Sequence, residues 1–403
     1  MDSNNLEAKY GLPSEVKYCR YCVMSNQKPN ASIEFQNVDG KRKYIDFDED
    51  EACAACRYED NVKKKIDWKQ REEQLKQLLS KYRKKDGSYD VIVPASGGKD
   101  SIYAAYHLKY TYKMNPLTVT WAPHIYRQTG WRNLQRMIHV GGLDNILFTP
   151  NGKVHRLLTR LAFKNILHPF QPFILGQKNI GPNMSLLYNV PLVFYGESNV
   201  EYGDPEDPKD PTMDKKYYSV KKKLDETYLG GVSLRELIEK YNLTLKDVKA
   251  YIPVDQTKLT ENNTQMHYLG YYMKWDPQEC YYFAADKTGF EPDWQRSEGT
   301  YCKYTELDDK LISLHFYTMF AKFGIGRAMY DASQEIRNKK ITREEGLALV
   351  RKFDGEYPNR YLRDILEYLG MSKVTFDKTV DSFRSPHLWK IEDGEWKLRH
   401  LVK

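Results

Sequence analysis

No apolar run in the 403 residues approaches the ~18 residues that a bilayer crossing needs, which excludes membrane insertion by a helix. Residues 1–18 carry acidic Asp2 and Glu7 and lack the basic segment followed by an apolar one that marks a secretory signal, so a cytoplasmic protein is expected. Cysteine is scarce, at six, and the chain has neither an internal repeat nor a low-complexity tract. With 32 Tyr and 15 Phe, it has too many core-forming aromatics for a disordered protein. Neither charge sign dominates. Lys+Arg 62 against Asp+Glu 55 leaves +7, less than a dedicated nucleic-acid coat would carry, so nucleic acid is the less expected partner while an RNA or an anionic small molecule both stay open.

The length suits roughly two or three domains. Four of the cysteines form Cys19-x-x-Cys22 and Cys53-x-x-Cys56. Two thiolates three positions apart grip one tetrahedral ion from a tight turn, and a second pair closes the shell, so structural zinc (Zn2+) is expected. Short strands at 32–35 and 44–47 around a turn at 38–40 would make residues 1–60 a zinc ribbon. Residues 61–86 read as a basic amphipathic linker helix, with Trp68, Leu75, Leu78, Leu79 and Tyr82 at helical spacing. Its lysines suit a solvated face more readily than an RNA-contacting one, because Asp67, Glu72 and Glu73 dilute the charge.

Apolar runs at 90–95, 117–121, 146–149 and 192–195 alternate with helical patterns such as 101–112 and 131–140. Such alternation predicts a doubly wound α/β domain over 87–215, with a parallel sheet covered on both faces and ligands at the carboxyl ends of its strands. Pro205, Pro208 and Pro211 exclude a continuous helix or central strand and predict a surface loop. Capping pairs Ser233/Glu236 and Thr244/Asp247, with Asn242 as a stop, predict a small helical insertion at 216–262. Residues 263–403 read as a mostly α-helical C-terminal region on the substrate side.

The strongest chemical signal is the apolar strand at 91–93 running through Pro94 and Ala95 into Ser96-Gly97-Gly98-Lys99-Asp100-Ser101 at a helix start. Two glycines let the backbone approach an anion, amides at the helix N-terminus point at it, and Ser96, Ser101 and Lys99 add donors. The loop is therefore expected to hold phosphate or pyrophosphate. It lacks the Walker spacing and instead resembles the SGGxDS signature of the PP-loop ATP pyrophosphatase superfamily. That resemblance implies a fold of the adenine-nucleotide α-hydrolase type, with ATP cleaved to AMP and pyrophosphate while a substrate oxygen is adenylated.

The fourth strand runs into Gly196, Glu197 and Glu201, placing carboxylates where a parallel sheet presents ligands. Asp100 with Glu197 or Glu201 is the candidate set for Mg2+ beside a pyrophosphate, and Lys99, Asp100, Glu197 and Glu201 are the catalytic candidates. Thr120 and Trp121, ending the second strand, are candidates for the adenine or ribose, together with Gly196. Farther on, mixed charge with glycines makes Arg296, Asp308, Asp309, Lys310 and Arg327 the substrate-side candidates.

Taken with the cysteine pairs, the Ser96 loop, Tyr195-Gly196-Glu197 through Glu201-Tyr202-Gly203, and Ile341-Thr342-Arg343-Glu344-Glu345-Gly346, the chain resembles the N-acetyl sugar amidotransferases, the WbpG- and PseA-like family of surface-glycan synthesis. The resemblance implies ATP-dependent conversion of an acetamido to an acetamidino group on a lipopolysaccharide or flagellin-glycan precursor, of the pseudaminic or legionaminic acid kind. It also implies a separate glutaminase and cyclase-like pair that supplies ammonia. The sequence shows neither a cysteine at position 2 nor a G-x-C-x-G elbow of its own. Two other readings stay open: a PP-loop enzyme that thiolates or aminates a tRNA base, and a non-catalytic zinc-ribbon adaptor.

Overall fold

A computed structural model describes residues 6–30, 34–35, 43–196 and 224–403. The 38–40 turn, Glu197, Glu201 and the loop holding Pro205, Pro208 and Pro211 lie outside the described residues.

In chain order, α1 (Ala54–Asn61) and α2 (Trp68–Tyr82) lead into an alternating unit. It runs β1 (Val91–Pro94), α3 (Lys99–Tyr106), β2 (Pro116–Trp121), α4 (Gln128–His139), β3 (Asp144–Phe148), α5 (Gly152–Ile166), α6 (Gln171–Tyr188) and β4 (Leu192–Tyr195). A hairpin of β5 (Tyr228–Leu229) and β6 (Val232–Ser233) and the helices α7 (Leu234–Tyr241), α8 (Leu245–Val248) and α9 (Gln256–Glu261) follow. Then come β7 (Gln265–Tyr268), α10 (Leu269–Tyr272) and α11 (Pro277–Thr288). The C-terminal region holds α12 (Ile312–Phe323), α13 (Arg327–Arg337), α14 (Arg343–Phe353), α15 (Leu362–Leu369), α16 (Lys373–Ser382) and a hairpin of β8 (Trp389–Glu392) and β9 (Glu395–Leu398).

Five strands form one parallel sheet in the order β3-β2-β1-β4-β7. Alternate residues of its central strands feed different cores. Ile92 and Val193 join Val154, Leu158 and Ile180 of α5 and α6, while Val91, Val93, Leu192 and Phe194 join Ile102, Leu134 and Ala284 of α3, α4 and α11. That two-sided burial is why β1 reads as an unbroken apolar run. The chain leaves β1 toward β3 and returns to β4 on the other side, so the strand order reverses at the carboxyl ends of β1 and β4, where a doubly wound sheet opens its ligand crevice.

The fifth strand differs from the sequence expectation, which ended the α/β unit at 215. β7 pairs with β4 from Leu192↔Gln265 to Tyr195↔Tyr268, so the segment at 216–262 is an excursion between two neighbouring strands of one sheet. Within it the capping works as the spacing predicts. Ser233 accepts from the Glu236 amide, Thr244 and Asp247 cap reciprocally, and Asn242 ends α7 in the left-handed region at φ 54°. Helix α2 packs Leu75 and Leu79 into the sheet core, so this linker helix is docked.

Among the described residues, the N-terminal segment makes isolated bridges, Tyr18↔Ser25, Pro29↔Tyr44 and Phe47↔Cys53, the last two in place of a strand at 44–47, while the strand expected at 32–35 lies partly outside the described residues. Its apolar residues Leu12, Val23, Met24 and Ile45 share a core with Phe323, Met329, Leu388, Trp389 and Val402 of the C-terminal region. Arg343, at the start of α14, ties the two together: its guanidinium donates to the carbonyls of Cys22 (3.0 Å) and Cys19 (3.2 Å). Arg343→Ala is expected to cost about 1.5–3 kcal/mol, the range for hydrogen bonds to a charged group. A shift in urea midpoint at constant slope checks this, and an unchanged midpoint would refute it.

Candidate functional site

The loop after β1 owes its shape to contact with α4. Gly97 sits at φ +81°, and a Cβ there would lie 2.5 Å from the Leu134 Cα and 2.6 Å from its nitrogen. Only glycine fits that approach. Gly98 caps α3 with ordinary backbone angles, and the Ser101 hydroxyl turns back to donate to its carbonyl at 3.0 Å. Lys99 is buried and pairs with Asp100, whose other carboxylate oxygen, Oδ1, is buried with no hydrogen-bond partner. An orphaned carboxylate oxygen beside an anion loop is the donor set a hard divalent cation takes up, so Asp100 fits the magnesium role as far as the described residues allow. Gly196 closes the crevice from β4, where a Cβ would meet the Trp275 ring at 3.1 Å and lie 3.6 Å from the Asp100 carbonyl.

A cavity of about 590 Å³ opens over this crevice. Pro94 through Ser101, Trp121 and Gly196 form its sheet side, and Asp308, His315, Arg327, Asp331 and Glu335 belong to its C-terminal wall. Trp121 is 4% exposed and already stacks on Phe148 at 5.0 Å, while Gly176 makes room for its ring. Thr120 lies behind the wall, its hydroxyl donating to the Ala95 carbonyl at 2.6 Å, so it ties β2 to the loop.

Of the substrate-side candidates, Asp308 and Arg327 line the cavity. Arg296, Asp309 and Lys310 do not, because each is held elsewhere. Arg296 binds Glu356 with both amino groups, one at 2.6 Å. Asp309 accepts from the His124 amide (2.8 Å) and contacts its ring nitrogen (2.6 Å), and Lys310 pairs with Asp364 at 3.0 Å. Neighbours 308 and 309 part company because the segment runs as an extended strip against 125–127, with a bridge between Tyr126 and Asp309 and a hydrogen bond from the Arg127 amide to the Asp308 carbonyl. Side chains on extended backbone alternate.

Asp308 is half-buried and forms part of the cavity wall. Burial, aided by the negative fields of Glu306 and Asp309, pushes its carboxyl up to about 7. His315 is held well below the usual imidazole range, chiefly by burial and then by His168, and is neutral near pH 7. His168, Phe170 and Phe173 from the end of α5 and the start of α6 also line the cavity, and no motif marked them.

Away from the crevice, the sulfurs of Cys19, Cys22, Cys53 and Cys56 all lie within 4.8 Å of one another, and all four residues are buried. Cys19–Cys56 and Cys22–Cys53 are 3.8 and 3.7 Å apart. A tetrahedron with ~2.3 Å metal–sulfur bonds has edges of about 3.8 Å, whereas a disulfide would need ~2.05 Å. Backbone amides of Cys22, Met24 and Cys53 point at these sulfurs at 3.4–3.5 Å, as amides that steady metal-bound thiolates do. The four thiols therefore fit a closed metal site.

Residues 298–403 match the family model for the C-terminal domain of LPS biosynthesis protein WbpG-like proteins. Over these residues the chain is similar to the WbpG-like C-terminal domain. The segment contributes Asp308, His315, Arg327, Asp331 and Glu335 to the cavity that the Ser96–Ser101 loop also lines. No curated protein matches the chain. Among solved structures, the NH3-dependent NAD synthetase of Campylobacter jejuni is 14% identical over 57% of this chain and 100% of its own, with a TM-score of 0.27. NMN synthetase of Francisella tularensis is 13% identical over 57% and 89%, TM-score 0.27. The U34-tRNA thiolase NcsA of Methanococcus maripaludis is 13% identical over 86% and 88%, TM-score 0.30. The chain itself combines a five-stranded parallel α/β sheet, a four-cysteine cluster and a helical C-terminal segment that matches the WbpG-like C-terminal model.

Proposed function

We propose that the chain is an ATP-dependent amidotransferase that converts the acetamido group of an N-acetyl sugar to acetamidino, releasing AMP and pyrophosphate. The observation that carries the reading is one cavity walled on one side by the PP-loop and on the other by the WbpG-like domain. An amide carbonyl is a poor electrophile, so its oxygen must first become a leaving group. The amide oxygen attacks the α-phosphorus of ATP and pyrophosphate departs into the loop formed by Ser96 to Ser101. Fixed amide and hydroxyl donors and the Lys99 ammonium stabilise the charge that develops there, which is electrostatic preorganisation. Magnesium, held by Asp100 and a second carboxylate such as Glu197, would supply further charge neutralisation.

The metal of the cysteine cluster is proposed to be zinc, which takes four thiolates in a closed tetrahedral shell. Ammonia is proposed to arrive from a separate glutaminase and cyclase-like pair. Four cysteines belong to the metal cluster, Cys280 is buried, and burial raises the Cys302 thiol above its ordinary range, which leaves no thiolate poised for glutamine hydrolysis or sulfur transfer. A cytoplasmic location is proposed with it, since the reaction consumes ATP.

The test follows AMP release from the purified protein with Mg-ATP and ammonium, across a panel of N-acetylated and nucleotide-linked sugars and bulk tRNA, with products read by mass spectrometry. Sugar-dependent AMP with one oxygen replaced by NH supports the proposal, whereas release with tRNA alone would replace it with base modification. Lys99→Ala is expected to lower AMP formation about 10²–10³-fold, the usual cost of one preorganised donor to a developing anion. Full retention would remove Lys99 from the mechanism.

A further inference from the structure

Helix α4 sets the spacing between the PP-loop and Asp308. A Cβ on Gly130, in its first turn, would lie 2.3 Å from the Asp308 Cα, and a Cβ on Gly97 would lie 2.5 Å from the Leu134 Cα. Positions 130 and 134 share one face of the helix, about 6 Å apart along its axis. The helix is therefore a spacer clamped at one contact by Gly97 of the anion loop and at the next by Asp308, and Gly97 and Asp308 both border the same cavity.

Other carboxylates of that cavity are engaged. Glu306 and Asp331 pair with Arg327, Glu335 accepts from the Tyr301 hydroxyl, Glu34 pairs with Lys322, Asp276 with Lys340, and Asp100 with Lys99. Among the described residues, Asp308 has neither an ion pair nor a hydrogen bond to its carboxylate from another residue's side chain.

We propose that Asp308 is the proton acceptor for the nitrogen that attacks the adenylated amide carbon. The inference rests on the amidotransferase reading and adds a residue to its second half-reaction. Ammonia adds to the carbon, forming a C–N bond and a tetrahedral centre whose new nitrogen carries three protons and a positive charge. One of those protons passes to the Asp308 carboxylate. The C–O bond then breaks, AMP leaves with the electron pair, the product is the amidinium, and protonated Asp308 returns its proton to solvent. The groups that bear on Asp308 are Glu306 and Asp309 on its own segment and Tyr126 and Arg127 from the strip beside it. Burial and the two acids outweigh the Arg127 charge, so its carboxyl titrates at about 7, in the range suited to a base that must both take and release a proton near neutrality.

The test separates the half-reactions in the full-length protein, using an N-acetyl sugar that supports AMP release. ATP–pyrophosphate exchange without ammonia reads adenylation, and amidine formation with ammonium reads the whole reaction. Asp308→Asn is expected to lower amidine formation about 10²–10⁴-fold, the range for a general base, while exchange falls less than about tenfold. With free ammonia held constant, wild-type amidine formation should fall as pH drops below about 7, and the variant should lack that limb. Hydroxylamine, which gives up its proton more readily, should restore part of the variant's turnover. Amidine formation within about threefold of wild type, or equal losses in exchange and amidine formation, overturns the assignment, because a general base should cost far more and at one step alone. No sugar-dependent exchange by the wild-type protein would instead overturn the amidotransferase reading itself, and the role of Asp308 with it.

Discussion

Removing the metal from the cysteine cluster, or replacing Cys56 by Ser, is expected to release the N-terminal segment from the C-terminal domain and to abolish turnover. Isolated bridges are the only β pairing among the described residues of 6–53, so its backbone has little regular hydrogen bonding to hold it. What places Leu12, Val23, Met24 and Ile45 against Phe323 and Trp389 is the pair of knuckles, fixed at 3.7–3.8 Å between sulfurs and clamped by Arg343. Structural zinc sites supply on the order of 10 kcal/mol at neutral pH, comparable with the whole stability of a domain. The loss should reach the candidate site, because Lys28, Pro29, Asn30 and Glu34 line the same cavity as the Ser96–Ser101 loop. Limited proteolysis should cut metal-free protein within this segment and leave a resistant core that begins near α2, and metal analysis should give about one ion per chain, as four thiolates close one shell. A metal-free protein with unchanged melting and proteolysis would show that the cluster is not structural.

What the sequence made legible follows from locality. The apolar runs that became β1 to β4, the strand-loop-helix at Ser96 and the doubled cysteine spacing are each written within a few dozen residues. β7 escaped notice because Gln265-Met266-His267-Tyr268 lacks a continuous apolar run, although Met266, His267 and Tyr268 are all buried. Its strand identity comes from pairing with β4, a tertiary fact. The separation of Asp308 from Asp309 was equally hidden, since adjacent acids look alike until the register of their strip against 125–127 is known. Arg296 and Lys310 looked free in sequence and are bound to Glu356 and Asp364, some 50–60 residues away. The motif at 341–346 had no chemical reading of its own. It contains the Thr342/Glu345 capping box of α14 and Arg343, which grips the metal knuckle, so it serves to join the two ends of the chain.

Gly97→Ala is expected to be the most damaging single substitution in the loop, and Gly98→Ala gives the comparison that isolates the reason. At position 97 an alanine meets two costs. The left-handed conformation at φ +81° disfavours any L side chain by roughly 1–2 kcal/mol. The new methyl would also sit 2.5–2.6 Å from backbone atoms of Leu134, and no rotamer change moves those aside. Either the loop or α4 must shift, and a shift of α4 carries Gly130 away from Asp308, so the anion loop and the proposed base lose their common spacer. ATP–pyrophosphate exchange should fall at least about 10²-fold, since misplacement of about 1 Å already costs that much. Gly98 has an ordinary φ, and its nearest obstacle is the Ser96 hydroxyl at 3.4 Å, so Gly98→Ala should melt within a few degrees of wild type. Equal melting temperatures for the two variants would mean that the loop moves independently of α4, and the spacing between PP-loop and Asp308 would then need another cause.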